Sequence, residues 1–180
     1  MALEYIGSKI GGGATIAGQV ALDMTENDSS ARFHLGSCVY MWDTTLSCVQ
    51  EYIYARGVAG VVVTDAMIIK CGDNAGVLLD DDAGAGGEWA SLVGFAMAAI
   101  VAAEYGWFHI CGRATANVLA SFADNQLIYA TTTAGTVDDA AGGGQLLNAR
   151  SAGAIGTPDA GSAYIDIHYP SMAGASAGLA

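Results

Sequence analysis

Charge is what this chain is short of. Only 13% of its residues are charged, about half the share of an ordinary domain. Bases are scarcest: six stand against 18 acids, for a net charge of −12 at pH 7. The six (Lys9, Arg32, Arg56, Lys70, Arg113 and Arg150) are scattered. Phosphate binding needs them clustered, so no nucleic-acid partner is expected. Long apolar runs are lacking too. The longest, over 90–103, is interrupted by Ser91 and Gly94, and a membrane span needs roughly 18 apolar residues. The opening Met-Ala-Leu-Glu-Tyr has neither the charged nor the apolar region of a signal peptide. A soluble protein made in the cytoplasm, with no membrane partner, is the expectation.

Catalytic signatures are missing as well. There is no Gly-x-Ser-x-Gly elbow. The glycine runs Gly11–Gly13 and Gly142–Gly144 have no Walker lysine behind them. No catalytic residue and no cofactor is assigned, and the chain is not expected to be an enzyme. The four cysteines, Cys38, Cys48, Cys71 and Cys111, include no CxxC pair. They read as buried free thiols that behave as small hydrophobes.

What is present is small and apolar. Hydrophobic residues make up 53% of the 180, enough for a sizeable core. A surface so poor in charge is covered by small residues or by other subunits. With two prolines and 25 glycines, turns rest on glycine and on Asn or Asp.

Two parts are expected along the chain. Residues 1–30 spread Ile6, Ile10 and Ile16 among glycines, too glycine-rich for a helix. They read as an extended N-terminal arm that gains order from a partner surface. Residues 31–180 read as a β-rich domain. Strands are expected over 32–42 and 46–54 as a hairpin, then over 58–63, 66–71 and 77–79. The stretch 91–103 is open between strand and helix, with strand preferred. Further strands are expected over 107–111, 115–119, 127–132 and 163–169, the last ended by Pro170. About ten short strands with turns every 8–12 residues make a mainly β fold, an antiparallel barrel or sandwich.

Three groups of residues invite chemistry. The acidic loop Asp80-Asp81-Asp82 with Glu88 offers carboxylate oxygens to a hard cation, but it lacks EF-hand spacing and reads first as a solvated loop. His34, His109 and the cysteines are zinc-ligand types. His109 and Cys111, two apart on one strand, are expected on one face. Sequence spacing does not bring the separate strands together, so no metal site is assigned. His168 shares a face with Asp166 and Tyr164 and reads as an ordinary strand residue.

The region 92–169 carries a recognisable order of motifs. Val93-Gly94-Phe95-Ala96 is followed by Glu104-Tyr105-Gly106-Trp107-Phe108-His109-Ile110-Cys111-Gly112. Then come Ala116-Asn117-Val118, Leu127-Ile128-Tyr129-Ala130-Thr131, Thr133-Ala134-Gly135-Thr136-Val137-Asp138-Asp139 and Ala163-Tyr164-Ile165-Asp166-Ile167-His168-Tyr169-Pro170. This resembles the small head proteins of tailed bacteriophages that decorate, or cement, the capsid. The resemblance implies a structural virion protein, commonly a homotrimer. It would sit on the outer surface of an icosahedral shell, with the major capsid protein as partner. The cysteines and His109 depart from the family's pattern. Ile6, Ile10 and Ile16 of the arm, with Tyr105 and Trp107 of the motif, are the candidate interface residues. Plain core packing is the competing reading for Trp107. The alternative function is a head-fibre, tail or receptor- and glycan-binding module, with Trp42 and Trp89 as a sugar platform.

Overall fold

The computed structural model describes residues 3–8, 23–70, 72, 74–81, 91–156 and 161–173, the first of these as a backbone strand. The described residues form eleven strands and no helix. They are β1 (Leu3–Ser8), β2 (Cys38–Asp43), β3 (Cys48–Arg56), β4 (Ala66–Ile69), β5 (Gly76–Leu78), β6 (Leu92–Ala96), β7 (Tyr105–Asn117), β8 (Leu127–Ala130), β9 (Val137–Asp138), β10 (Gln145–Ser151) and β11 (Ser162–Met172). The main path of the sheet runs β1-β2-β3-β7-β6-β11-β10-β8-β9, with β4 and β5 branching from β6. All named pairings are antiparallel. The expected mainly β, sandwich-like fold is therefore present, and the sheet is not closed into a barrel.

The β2–β3 hairpin forms where alternation predicted it, with Cys38 opposite Ile53 and Asp43 opposite Cys48. The carboxylate of Asp43 closes the turn. Its Oδ1 accepts the backbone N–H groups of Thr45 at 2.8 Å and Leu46 at 3.0 Å, as an Asx turn does. The ambiguous 91–103 stretch resolves into strand β6 followed by irregular chain. Gly94 explains the strand: a Cβ there would lie 2.8 Å from that of Phe108, so the strand presses against β7.

Strand β7 organises the interior, because both of its faces are covered. Trp107 packs with Tyr52, Tyr54, Val39, Met41 and Met24. Phe108 and Ile110 pack on the other face with Ile53, Met67 and Ile100. Further along, Ala114 and Ala116 join the largest cluster, with Phe95, Ile165 and Leu146. Near its middle the strand carries a β-bulge. Tyr52 faces His109 and Glu51 faces Cys111, so Ile110 is the extra residue. The two strands expected over 107–111 and 115–119 are thus one.

Two expectations fail for identifiable reasons. No strand forms over 58–63, where only Val61 bridges to Ile100. The carboxylate of Asp65 captures the Val62 N–H at 2.9 Å and turns the chain. Pro170 does not end β11, which runs on to Met172. The register jumps from Ala149↔Ile167 to Leu147↔Ser171, so Pro170 lies in a bulge where its missing N–H costs no ladder bond. Tyr169, in the same bulge, takes φ +49°. The body also begins before residue 31: Met24 is buried, and Asp28 bridges to Tyr105.

Candidate functional site

The most conspicuous surface feature is an apolar tip. Two segments, Gly57-Val58-Ala59-Gly60-Val61-Val62-Val63 and Met97-Ala98-Ala99-Ile100-Val101-Ala102-Ala103, contain no polar side chain. The Ile100 N–H donates to Val61 O at 2.9 Å and the Thr64 N–H to Ala96 O at 2.8 Å, tying the segments together. Val62, Val63 and Val101 are 49%, 53% and 60% exposed, and Ala59, Ala99, Ala102 and Ala103 are exposed around them.

This tip is rigidly mounted. Ile100 is 2% exposed and fits where two glycines leave room: a Cβ on Gly57 would lie 2.5 Å from its Cγ2, and one on Gly106 2.9 Å from its Cδ1. Asp65, held by the Asn117 amide at 3.1 Å, fixes the other segment. Asn27 braces the rim by donating to Ala99 O at 3.1 Å and to Glu104 at 2.7 Å. Surface that is apolar and already ordered loses little entropy when a partner covers it.

The candidate interface residues fall in different places. Ile6 lies in the edge strand β1. Ile10 and Ile16 lie outside the described residues. Tyr105 is half-buried and stacks on Tyr54 with ring centroids 6.2 Å apart. Trp107 is 3% exposed and sits 5.3 Å from Phe33 and 5.1 Å from Tyr54, centroid to centroid. It belongs to the chain's own core. The valine tip was not singled out in the sequence, although its two uncharged runs are visible there.

A second feature is a polar row across the sheet. Tyr40 faces Glu51, Glu51 faces Cys111, and Cys111 faces His168, on four successive strands. Directly opposed residues share a face. Tyr169, turned back by its positive φ, donates a short hydrogen bond to Glu51. Hydrogen bonding to Glu51 raises both the Tyr40 and the Tyr169 phenols above their ordinary range. Cys111 Sγ lies 3.3 Å from His168 Nδ1. Burial, followed by the charge of Glu51, raises the Cys111 thiol. It is therefore a protonated thiol and not a thiolate nucleophile.

The bulge corrects the expected placement of His109: it lies on the face opposite Cys111. There it stacks on Tyr52 with centroids 4.6 Å apart. Its Nε2 is 2.9 Å from both Gln50 Oε1 and Cys111 O. Both partners are acceptors, because Gln50 Oε1 also takes the Arg113 N–H at 2.8 Å. Nε2 therefore carries the proton. Burial pushes the His109 pKa down to about 4.

Among the described residues, no group of three or more His, Cys, Asp or Glu is arranged to hold a metal. Asp82 and Glu88 of the acidic loop, and Trp89 of the suggested sugar platform, lie outside the described residues. Trp42 is half-buried. A shallow groove lies over the β10–β11 bulges, lined by Leu127, Leu147, Arg150, Asp166 and His168. No family model, no curated protein and no solved structure matches this chain.

Proposed function

We propose that the chain is a structural protein of a phage virion. It binds the outer surface of an icosahedral capsid as a homotrimer and cements neighbouring capsomers of the major capsid protein. The observation that carries this reading is the rigid, charge-free valine tip on an otherwise acidic, all-β body. An acidic chain meets other acidic surfaces best where it carries no charge. Burying apolar surface contributes about 25 cal/mol per Å² before association costs. A small contact of this kind becomes strong when many copies repeat it around a closed shell. The motif order over 92–169 supports the same reading.

The direct test is to prepare particles with and without the protein and heat both. Cementing requires that complete particles keep their contents to a higher temperature. Equal loss from both preparations would refute it. A second reading, a glycan-binding module of a head fibre or tail, draws on the groove beside β10 and β11. It combines two leucines with planar polar side chains, a combination suited to a sugar ring. Binding on a glycan array, with the protein located away from the shell face, is the outcome that favours it.

A further inference from the structure

The buried side of the β2–β3 hairpin holds more polar chemistry than folding requires. Gln50 is fully buried. Its Oε1 accepts two hydrogen bonds, from the Arg113 N–H at 2.8 Å and from His109 Nε2 at 2.9 Å. Its Nε2 lies 3.4 Å from Cys48 Sγ. Cys48 and Gln50 are two apart on one strand and so share a face. A thiol thus touches a carboxamide whose oxygen already sits in a two-donor cradle. That is the arrangement that stabilises the oxyanion of acyl transfer.

The same corner holds an unpartnered base. Asp43 faces Cys48 across the end of the hairpin. Its Oδ1 is used by the turn, while its Oδ2 is buried and has no partner. Tyr52, two residues beyond Gln50 on the same face, also has a buried hydroxyl without a partner. A buried polar atom left unsatisfied costs about 1–3 kcal/mol, so two in one corner call for an explanation. Burial and the charge of Asp43 raise the Cys48 thiol. It rests protonated and needs a base to react.

We infer that Cys48 and Gln50 close an internal thioester, with Asp43 as the base and the Arg113 N–H and His109 Nε2–H as the oxyanion donors. Asp43 Oδ2 takes the proton from Cys48 Sγ, and the sulfur attacks Gln50 Cδ. The Cδ–Oε1 bond opens to an oxyanion held by the two donors. It re-forms as the Cδ–Nε2 bond breaks, and the nitrogen leaves with the proton from Asp43 as ammonia. One thiol and one carboxamide become one thioester and one ammonia, with no oxidant or co-reactant. In water the amide is the more stable partner, so the step is drawn forward by escape of ammonia. The product is an acyl donor for primary amines. Cys48 is only half-buried, which leaves the sulfur side of the bond open to such a partner. This inference does not depend on the capsid role.

The test is the intact mass of the full-length protein, purified without amines or thiol reagents and read after acid denaturation. The expected mass is lower than that of the sequence by one ammonia, and fragmentation places the deficit in the peptide carrying Cys48 and Gln50. Adding methylamine to unfolded protein should return one methylamine to Gln50 and free one thiol at Cys48. Cys48→Ser and Gln50→Asn should each restore a mass with no deficit. Asp43→Asn should slow its appearance after refolding. The inference is overturned if aged, folded protein keeps the full mass and its Cys48 is alkylated as a free thiol. It is equally overturned if the deficit survives in Cys48→Ser. Because the decisive reading is on the unmodified chain, a variant that fails to fold leaves the outcome intact.

Discussion

The Cβ that Gly112 lacks would fall on Gln50 Oε1. Gly112 also has φ +117°, a conformation that side chains resist. Two facts of the β7 bulge, its backbone twist and its bond from Arg113 to Gln50, therefore rest on a single missing side chain. Gly112→Ala should destabilise the fold by about 2–5 kcal/mol, combining backbone strain with the loss of buried hydrogen bonds. Urea unfolding should show a lower midpoint with an unchanged slope. A midpoint within error of the parent would contradict the assigned role of the bulge.

His109 gives the fold an acid-side weakness. Its pKa falls from 6.5 in the unfolded chain to about 4 in the folded one. Between those values the unfolded chain holds a proton that the folded chain does not, so stability decreases as pH falls from about 6.5 towards 4. At about 1.4 kcal/mol per pH unit, the full loss from this group is roughly 3 kcal/mol. Denaturation followed at a series of pH values should show the slope, and His109→Gln should flatten it. A parent protein equally stable at both ends of that window would refute the assignment.

On the proposed capsid role, the valine tip would separate binding from folding. Val63→Asp and Val101→Asp change exposed positions and should alter stability by no more than about 0.5 kcal/mol. Each buried valine contributes about 1.5–3 kcal/mol, so shell occupancy should fall by about 10- to 100-fold. Ile100→Ala should do the reverse to the fold, at about 2–5 kcal/mol. Cosedimentation with shells and thermal unfolding on the same samples distinguish the two effects. Full occupancy by the double aspartate variant would remove the tip from the interface.

Tyr169 holds Glu51 at the cost of an unfavourable backbone angle. Tyr169→Phe keeps the angle and deletes the hydroxyl. It should cost about 1.5–3 kcal/mol, the range for a hydrogen bond to a charged group. Tyr169→Asn eases the angle but also deletes the bond, so it should fall between the two. Chemical denaturation of both variants checks the order, and a Phe variant as stable as the parent would show the bond to be idle.

Removing residues 1–8 should leave the described members of the three core clusters in place, since these run from Met24 to Met172. It strips the outer edge of β2, and a bare edge strand pairs with other chains. The expected result is a folded protein that aggregates at lower concentration, seen by light scattering. Unfolding of the truncated chain would show that β1 carries more than edge protection.

Much of the strand order was legible because alternation survives in β2 and β11 and β3 is rich in β-branched and aromatic residues. The β2–β3 hairpin could be read from an aspartate and two threonines between two such runs. What escaped depended on partners distant in the chain. The side occupied by Cys111 is decided by a bulge, and the bulge is decided by Gln50 on another strand. The expectation that His109 and Cys111 share a face follows the two-residue period faithfully and fails where the β7 bulge breaks that period. Likewise, 58–63 has a strand's composition, and the carboxylate of Asp65 turns it into a mount. The Cys48–Gln50 pair matches no spacing rule and becomes visible only when Arg113, His109 and Asp43 close around it.

Strand β11 lies in the interior of the sheet, bonded to β6, β7 and β10, although it comes after all the others in sequence. A ribosome delivers the chain from the other end. Until residue 172 has left the exit tunnel, the largest cluster lacks Ala163, Ile165, Ile167 and Met172, and the C-terminal half of β7 has no neighbour on that side. The nascent chain must therefore wait, with its apolar strands exposed, until β11 has been made. Chains cut short by a premature stop cannot settle into a smaller version of the fold, and they are substrates for chaperones or proteases.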